Sequence, residues 1–160
     1  NVGDAEVKGG ETDLWWRPAR GLDLRLGLGL LDTKITKSIV DGVATGSKLP
    51  NSPDMTFNAL VRYQWPINGN LRAEVLLATN YQADLTFDVV RDPPEAREGS
   101  YWLTDARIGI GAADERWNVS IWGKNLADER YRTQVLFSSV GFGSSYGPPR
   151  TYGISLMLRR

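Results

Sequence analysis

The sequence predicts an all-β protein, an antiparallel up-and-down transmembrane β-barrel that is incomplete, with about seven meandering strands of a larger barrel. Three observations predict this class. Apolar and polar residues alternate with a period of two along most of the chain, as in a strand with one apolar face. Short and long connections between these segments alternate strictly, and aromatic residues gather near the segment ends. These features are typical of an outer-membrane barrel with short periplasmic turns and long extracellular loops.

The first two predicted strands form a hairpin. Residues 6–17 alternate and end in two tryptophans, and the turn at 18–21 holds the proline and glycine that a tight reversal needs. The second strand covers about 22–37 and places a leucine at every second position of Leu22–Leu30. A helix with 3.6 residues per turn would scatter these leucines around its surface, so the spacing indicates a strand.

Three further strands follow with the same alternation. They are predicted at residues 55–65, 71–87 and 101–112, separated by a long polar connection at 38–54, a short turn at 66–70 and a long connection around 91–99. The short turn contains Asn68-Gly69, the dipeptide that most strongly favours a tight hairpin.

The last two strands are predicted at about 117–124 and from Thr151 to the end of the chain. The turn at 113–116 before them is short, whereas the connection at 127–148 is long and contains the Gly/Ser-rich stretch 138–147. An alternative makes residues 131–140 an eighth strand, which would describe a small stand-alone outer-membrane barrel with a structural or adhesive role. That alternative would place the C-terminus on the opposite side of the membrane.

Composition excludes several classes of function. Lys+Arg and Asp+Glu both number 19, so no net charge attracts nucleic acid. Cysteine and histidine are absent, which removes thiol and Ser-His catalysis and the commonest metal ligands. No cofactor is predicted, and an outer-membrane enzyme is disfavoured. The chain also lacks the run of about 20 apolar residues that a transmembrane helix requires, whereas a transmembrane strand needs only about 9–11 residues.

Aromatic residues are predicted to form a girdle at each membrane interface. Those near the short turns are Trp16, Trp65 and Trp117, and those near the long connections are Tyr81, Trp102 and Tyr152. Seven is an odd strand number, whereas single-chain bacterial barrels have even numbers from about 8 upward. An open sheet in lipid would leave costly unpaired edges, so the missing strands are expected before Asn1.

The residues of the last third resemble the C-terminal end of TonB-dependent outer-membrane receptors. The resemblance rests on the segment Trp-x-Val-x-Ile-x-x-Lys-Asn-Leu-Ala-Asp-Glu-Arg-Tyr at 117–131 and on Pro-Arg-Thr-Tyr-Gly-Ile-Ser-Leu at 149–156. Segments 4–11 and 49–54 and the leucine strand are also similar to recurring barrel segments of that family. The resemblance implies a 22-stranded barrel around an N-terminal plug, which imports iron–siderophore complexes, haem, cobalamin or carbohydrates with energy from the TonB complex.

For this chain, the resemblance implies that residues 1–160 are a C-terminal part of such a barrel in the outer membrane of a Gram-negative bacterium. The plug domain and the TonB box are expected upstream of the chain. The expected partners are outer-membrane lipid, the TonB complex through those N-terminal regions, and a small ligand such as a ferric siderophore. Family members commonly end on an aromatic residue, whereas this chain ends on Arg160.

Candidate ligand contacts are arginines and aromatic residues of the long connections and the upper lumen. Arginine offers a planar donor fork to an anionic chelate, and aromatic rings stack on flat ligand groups. The candidates are Arg91, Arg97, Tyr101, Arg130, Tyr131, Arg132, Phe137, Phe142 and Tyr146. A second set of charges is expected to line the lumen and to pair within itself or with a plug: Arg25, Arg62, Arg72, Glu74, Asp105 and Arg107. Residues 125–130 are interpreted as strand-end and turn chemistry.

Overall fold

The computed structural model describes residues 3–90 and 94–159. The strands are β1 Gly3–Ala19, β2 Leu22–Ser38, β3 Met55–Pro66, β4 Leu71–Gln82, β5 Leu85–Thr86, β6 Arg97–Glu98, β7 Tyr101–Ala112, β8 Trp117–Lys124, β9 Arg132–Ser138, β10 Gly141–Tyr146 and β11 Thr151–Leu158. One turn of 3₁₀ helix covers Pro94–Ala96. Seven strands form one sheet in the order β1-β2-β3-β4-β7-β8-β11, in which every neighbouring pair is antiparallel.

The predicted architecture is therefore confirmed: an all-β, antiparallel sheet of seven strands that does not close on itself. Its two edges are β1 and β11. The connections between successive strands of this sheet alternate between short turns and long excursions, as predicted. The excursions hold the remaining elements, a small sheet of β5 with β6 and a hairpin of β9 with β10.

Two predicted boundaries are wrong. The fourth strand ends at Gln82 rather than near residue 87, because the chain then leaves the sheet so that Leu85–Thr86 can pair with Arg97–Glu98. The Gly/Ser-rich stretch 138–147, predicted as loop, contains β10. In addition, β9 pairs with β10 and not with the seven-stranded sheet, so residues 131–140 do not supply an eighth strand to that sheet.

The register gives the sheet one apolar and one polar face. Side chains on the apolar face include Leu24, Leu26, Val61, Leu77, Ile108, Ile110, Val119, Ile121, Ile154 and Leu156. Most of these remain exposed, and the buried apolar side chains among the described residues are Ile35, Ala73, Ala83, Ala96, Ala112 and Val135. An apolar face of this extent needs an apolar medium against it. Among the described residues, no helix is long and apolar enough to cross a membrane.

The six aromatic residues predicted to form girdles lie on the apolar face, at the two ends predicted from the sequence. Next to the short turns, the Tyr63 and Trp65 rings stack with centroids 5.1 Å apart. Towards the long connections, the Trp102 ring lies 4.9 Å from Tyr81 and 6.1 Å from Phe57. Two aromatic bands therefore bound the apolar strip of the sheet.

The hairpin of β1 and β2 extends beyond the rest of the sheet at the long-connection end. Both strands have 17 residues, whereas β3 and β4 have 12. The connection at 39–54 folds back along this extension. The Ile35 N–H donates to the Ser47 carbonyl at 2.8 Å, and the Leu49 N–H donates to the Thr33 hydroxyl at 3.0 Å.

The polar face carries the six charges predicted to pair among themselves or with a plug, and pairing with a plug stays a prediction. Asp23 accepts hydrogen bonds from Arg17 and Arg62, and Glu115 accepts one from Arg72 at 2.7 Å. Within the described residues, none of the six predicted lumen charges pairs with another of the six. The remaining contacts are Arg25 over the Trp15 ring, Gln64 to Glu74, Arg107 to Asn118, and the Asn125 N–H to Asp105.

Glu115 links the turn at 113–116 to the strands on either side. The hydrogen bond from Arg72, followed by the charges of Arg72 and Arg159, lowers the pKa of the Glu115 carboxyl below its ordinary value. These ion pairs therefore stabilise the folded state above that ordinary pKa, and the contribution is lost as the pH falls through the lowered pKa.

We expect Glu115→Gln to lower the melting temperature slightly at neutral pH, and the difference from wild type to disappear in acid. The melting temperatures of purified wild type and Glu115→Gln, measured across a pH series, test this expectation. Asp41→Asn, which removes an exposed carboxylate of the connection at 39–54, is the control for a nonspecific change in charge. A melting difference that is constant over the whole pH series would contradict the assignment.

Candidate functional site at the long-connection end

An open cleft of about 550 Å³ lies between the connection at 39–54 and the segments 84–89 and 97–99. A backbone hydrogen bond from Asn51 N–H to the Thr86 carbonyl, 2.8 Å long, joins its two walls. Ala96 is completely buried and accepts a backbone hydrogen bond from Phe87. The charged residues of the lining are Lys48, Asp84, Asp88, Arg97 and Glu98. Both signs are present, so the cleft does not carry a uniform charge.

Arg132 and Glu98 form a largely buried ion pair behind the cleft. Their side chains are 21% and 12% exposed, and Arg132 Nε lies 2.7 Å from Glu98 Oε2. The Arg132 guanidinium also donates to the carbonyls of Glu95 and Arg97. Arg132 therefore links β9 to the cleft wall that carries Arg97. Its guanidinium nitrogens donate to groups of the protein itself.

Two predicted ligand aromatics stack on each other beside this ion pair. The Tyr101 and Tyr131 rings are 4.6 Å apart between centroids and inclined by 26°. Gly147 lies against the Tyr131 ring, and a Cβ atom at Gly147 would come within 1.9 Å of Tyr131 Cζ. The Gly147 N–H also donates to the Tyr131 carbonyl at 3.0 Å. The position of Tyr131 thus requires a residue without a side chain at 147.

Gly147→Ala is expected to displace the Tyr131 ring, break the stack and loosen the connection between β8 and β11. Overpacking of this kind costs about 1–3 kcal/mol. Limited trypsin digestion at the arginines of this connection measures the loosening, which we expect to accelerate cleavage. Gly143→Ala is the matched control, since a Cβ atom at Gly143 meets nothing within 4 Å. Equal cleavage rates for the two variants would contradict the packing argument.

Asn125 organises the turn that leaves β8. It is 6% exposed and has a positive φ of 49°, which asparagine tolerates better than most residues. Its side chain accepts from the Glu129 N–H at 2.8 Å and donates to the carbonyls of Glu129 and Pro148 at 2.9 and 3.1 Å. Its N–H donates to Asp105 on β7 at 2.9 Å. These contacts agree with the predicted turn chemistry at 125–130.

The hairpin of β9 and β10 presents the remaining candidates. The Arg130 guanidinium carbon lies 4.6 Å from the centre of the Tyr146 ring. The Phe137 and Phe142 rings lie 6.1 Å apart across the hairpin. Phe142 and Tyr146 are about half exposed, at 53% and 49%. This hairpin therefore offers aromatic surface and one cation to a ligand or partner above the sheet.

The predicted ligand residues thus divide into three groups. Arg97 lines the cleft, and Tyr101, Tyr131 and Arg132 pack beside it. Phe137, Phe142 and Tyr146 lie on the hairpin, and Arg130, just before β9, packs over the Tyr146 ring. Arg91 lies outside the described residues. Sequence reasoning did not identify Glu98, whose role depends on a partner 34 positions away. No local pattern marks such a pair.

Comparison with known proteins agrees with the geometry. Residues 1–126 match the family model described as TonB dependent receptor-like, beta-barrel. This match covers well over half of the chain and agrees with the seven-stranded antiparallel sheet. The chain belongs to the family of TonB-dependent receptor β-barrels.

One curated relative matches almost the whole chain, and a second matches about a third of it. The pesticin receptor of Yersinia pestis is 26% identical over 159 residues, which are 97% of this chain and 22% of that receptor. The ferric-pyoverdine M114 receptor PbuA of Pseudomonas sp. (strain M114) is 38% identical over 56 residues, which are 35% of this chain and 6% of that receptor.

Two solved structures share the fold. The ferric yersiniabactin uptake receptor FyuA of Yersinia pestis superposes with a TM-score of 0.84 and 25% identity, over 98% of this chain and 24% of that structure. The ferric-catecholate import receptor Fiu of E. coli K12 superposes with a TM-score of 0.73 and 20% identity, over 95% of this chain and 20% of that structure. The chain therefore spans less than a quarter of the length of these receptors.

Proposed function

We propose that this chain is part of the barrel of an outer-membrane receptor that imports a ferric siderophore or a similar scarce nutrient. One observation carries the proposal: this chain superposes over 98% of its length on the ferric yersiniabactin uptake receptor FyuA. The apolar face, bounded by two aromatic bands, supports a position in a Gram-negative outer membrane. In that position, the polar face lines the lumen and the long connections lie on the extracellular side.

The rest of the barrel, the plug and the contact with the TonB complex belong in this proposal to segments upstream of the chain. Two observations support this. The chain covers 22% of the pesticin receptor and 24% of the FyuA structure. The edges β1 and β11 also present backbone groups that would cost several kcal/mol each if left unpaired in lipid. Strands from those segments would pair with both edges and close the barrel.

The ligand contacts that we propose are Arg97 in the cleft, Phe142 and Tyr146 on the hairpin, and Arg130 beside Tyr146. Their position at the long-connection end supports this, because an extracellular ligand arrives there. Arg97 would bring a donor fork to a chelate oxygen, and the half-exposed rings would stack on its flat groups. Tyr101, Tyr131 and Arg132 would then support this surface from behind.

Uptake of radioactive iron tests the function. The full-length gene that contains this segment is expressed in an iron-starved bacterium without its own ferric siderophore receptors, and a panel of ferric chelates is supplied. We expect accumulation of iron from at least one chelate, and its loss when the host lacks TonB. Accumulation that persists without TonB, or no accumulation from any ferric chelate or haem, would contradict the proposal.

Binding to whole cells tests the contacts. We expect Arg97→Ala and Tyr146→Ala to weaken binding of the transported chelate by about tenfold each, the loss of one good contact. The control is Arg116→Ala, an exposed arginine that pairs with Asp114 in a short turn at the opposite end. A weakening of similar size in all three variants would show that these residues are not specific contacts.

A further inference from the structure

A shallow groove of about 500 Å³ runs along the apolar face over β4, β7, β8 and β11. Its floor consists of Ala106 and Gly123, which are direct partners across β7 and β8. Because both residues are small, the surface is lower here than along the neighbouring rows of isoleucine and leucine. The lining surface is almost entirely apolar, so the groove suits a hydrocarbon chain rather than a polar ligand.

Larger side chains border this floor. Tyr152 of the edge strand β11 pairs with Gly123, stands beside it in the same cross-strand row and is 81% exposed. The next row consists of Val75, Ile108, Ile121 and Ile154, and it borders the floor on the side of the short turns. A flexible chain resting against Tyr152 and this row would contact apolar atoms on the floor and at its borders, and many close contacts add up to a substantial attraction.

The groove ends at the long-connection side beneath an arginine. The Leu126 side chain folds over Gly123, so that a Cβ atom at Gly123 would lie 2.7 Å from Leu126 Cδ2. Arg150 Nη1 lies 3.5 Å from the Leu126 carbonyl, at the upper limit of a hydrogen bond. Within the described residues, this is the one hydrogen bond that the exposed Arg150 guanidinium makes. The neighbouring Asp128 carboxylate accepts the Arg150 backbone N–H at 2.9 Å.

From this arrangement we infer a specific lipid site: one acyl chain of a phosphorylated outer-leaflet lipid lies in the groove, and its phosphate contacts Arg150. The inference rests on the proposed position in the outer membrane. The groove is continuous with the apolar face that contacts the bilayer, and its upper end meets a cation at the depth of the headgroups. Tyr152 lies between the two regions, as aromatic residues do at the membrane interface.

The two parts of the site have different roles. Lipid tails are as apolar as leucine, so a chain in the groove gains close packing but no hydrophobic driving force over other chains. The phosphate contact supplies the selectivity, because an arginine–phosphate hydrogen bond is charge-assisted and has a fixed geometry. The site should therefore prefer a phosphorylated lipid to a neutral lipid with the same chains.

Native mass spectrometry of the full-length receptor in detergent, with added diphosphorylated lipid A, tests the inference. We expect one tightly retained lipid on the wild type and several-fold less retention on Ala106→Leu, which fills the floor. The matched control is Ala59→Leu, which adds the same side chain on the apolar face of β3 outside the groove. Equal retention by the two variants would overturn the groove assignment.

Arg150→Gln tests the headgroup contact. We expect retention of diphosphorylated lipid A to fall about tenfold, the loss of one hydrogen bond to a charged group, and retention of dephosphorylated lipid A to stay unchanged. An equal fall for both lipids, or no fall for either, would overturn this contact. Arg116→Gln is the control for loss of a surface cation.

Iron uptake by the same variants separates this inference from the proposed function. Normal uptake by Ala106→Leu and Arg150→Gln, with lipid lost, supports both. Uptake that is absent from the wild type while one lipid A is retained selectively would leave the lipid site standing and overturn the transport proposal. No retained lipid on a wild type that does transport iron would overturn the lipid site alone.

Discussion

Leu77→Arg is expected to lower the free energy of unfolding of the full-length barrel by about 2–4 kcal/mol, the cost of an arginine on the lipid-facing side near mid-membrane. Leu77 lies in the middle of β4 on the apolar face, between Val61 and Ala106 of the neighbouring strands, and is 45% exposed. In lipid, the guanidinium would lose its hydration without gaining a partner. Urea unfolding in lipid vesicles measures the change.

The adjacent residue provides the control. Ala78 lies on the polar face, where its partner on β7 is Asp105. Ala78→Arg therefore introduces the same charge beside a carboxylate, and we expect a change well below that of Leu77→Arg. Together, the two variants test whether neighbouring residues of β4 lie on opposite faces of the sheet. Comparable destabilisation by both variants would mean that the apolar face does not contact lipid.

Asn125→Ala is expected to cost about 3 kcal/mol, since it removes three side-chain hydrogen bonds worth about 1 kcal/mol each. The carbonyls of Glu129 and Pro148 and the Glu129 N–H would lose their partners in a largely buried place. The turn joins β8 to the β9–β10 hairpin, so protease sensitivity of the connection should rise together with the loss of stability. Urea unfolding and limited proteolysis of the full-length receptor measure the two effects.

Two variants distinguish the hydrogen bonds from other effects of Asn125→Ala. Asn125→Gly relieves the positive φ but still lacks the side-chain bonds, so we expect it to recover only part of the stability. Asn118→Ala removes an asparagine on β8 that accepts one hydrogen bond, from Arg107 at 3.0 Å, and should cost about 1 kcal/mol. If Asn118→Ala costs as much as Asn125→Ala, the Asn125 network does not explain the stability of this turn.

The seven strands and their faces could be predicted because a barrel strand in a membrane must place apolar and polar side chains at alternate positions. The run of leucines in β2 shows the principle, since every second residue lies on the apolar face. The β9–β10 hairpin could not be predicted in this way. It lies outside the main sheet, and its glycines and serines do not repeat an apolar position at every second residue. Backbone pairing, rather than hydrophobic periodicity, defines it.

Candidate ligand residues could be selected by residue type and by region of the chain. The contacts that these side chains make within the fold could not be predicted. Arg132 has the side chain expected of a chelate contact, yet Glu98 occupies it through an ion pair between residues 34 positions apart. Asp23 likewise pairs with Arg62 across a strand register that only the folded sheet defines. Contacts of this kind depend on three-dimensional position, which residue type and local spacing do not encode.

The long hairpin of β1 and β2 has a consequence for hydrogen exchange. A strand crosses the membrane with about 9–11 residues, whereas each of these strands has 17, so about six residues of each lie beyond the bilayer. At about 3.4 Å per residue they extend roughly 20 Å into water. Every second amide of each strand points at the other strand and is paired with it, and the connection at 39–54 borders β2. These paired amides should therefore exchange their hydrogens over hours, although water surrounds the region.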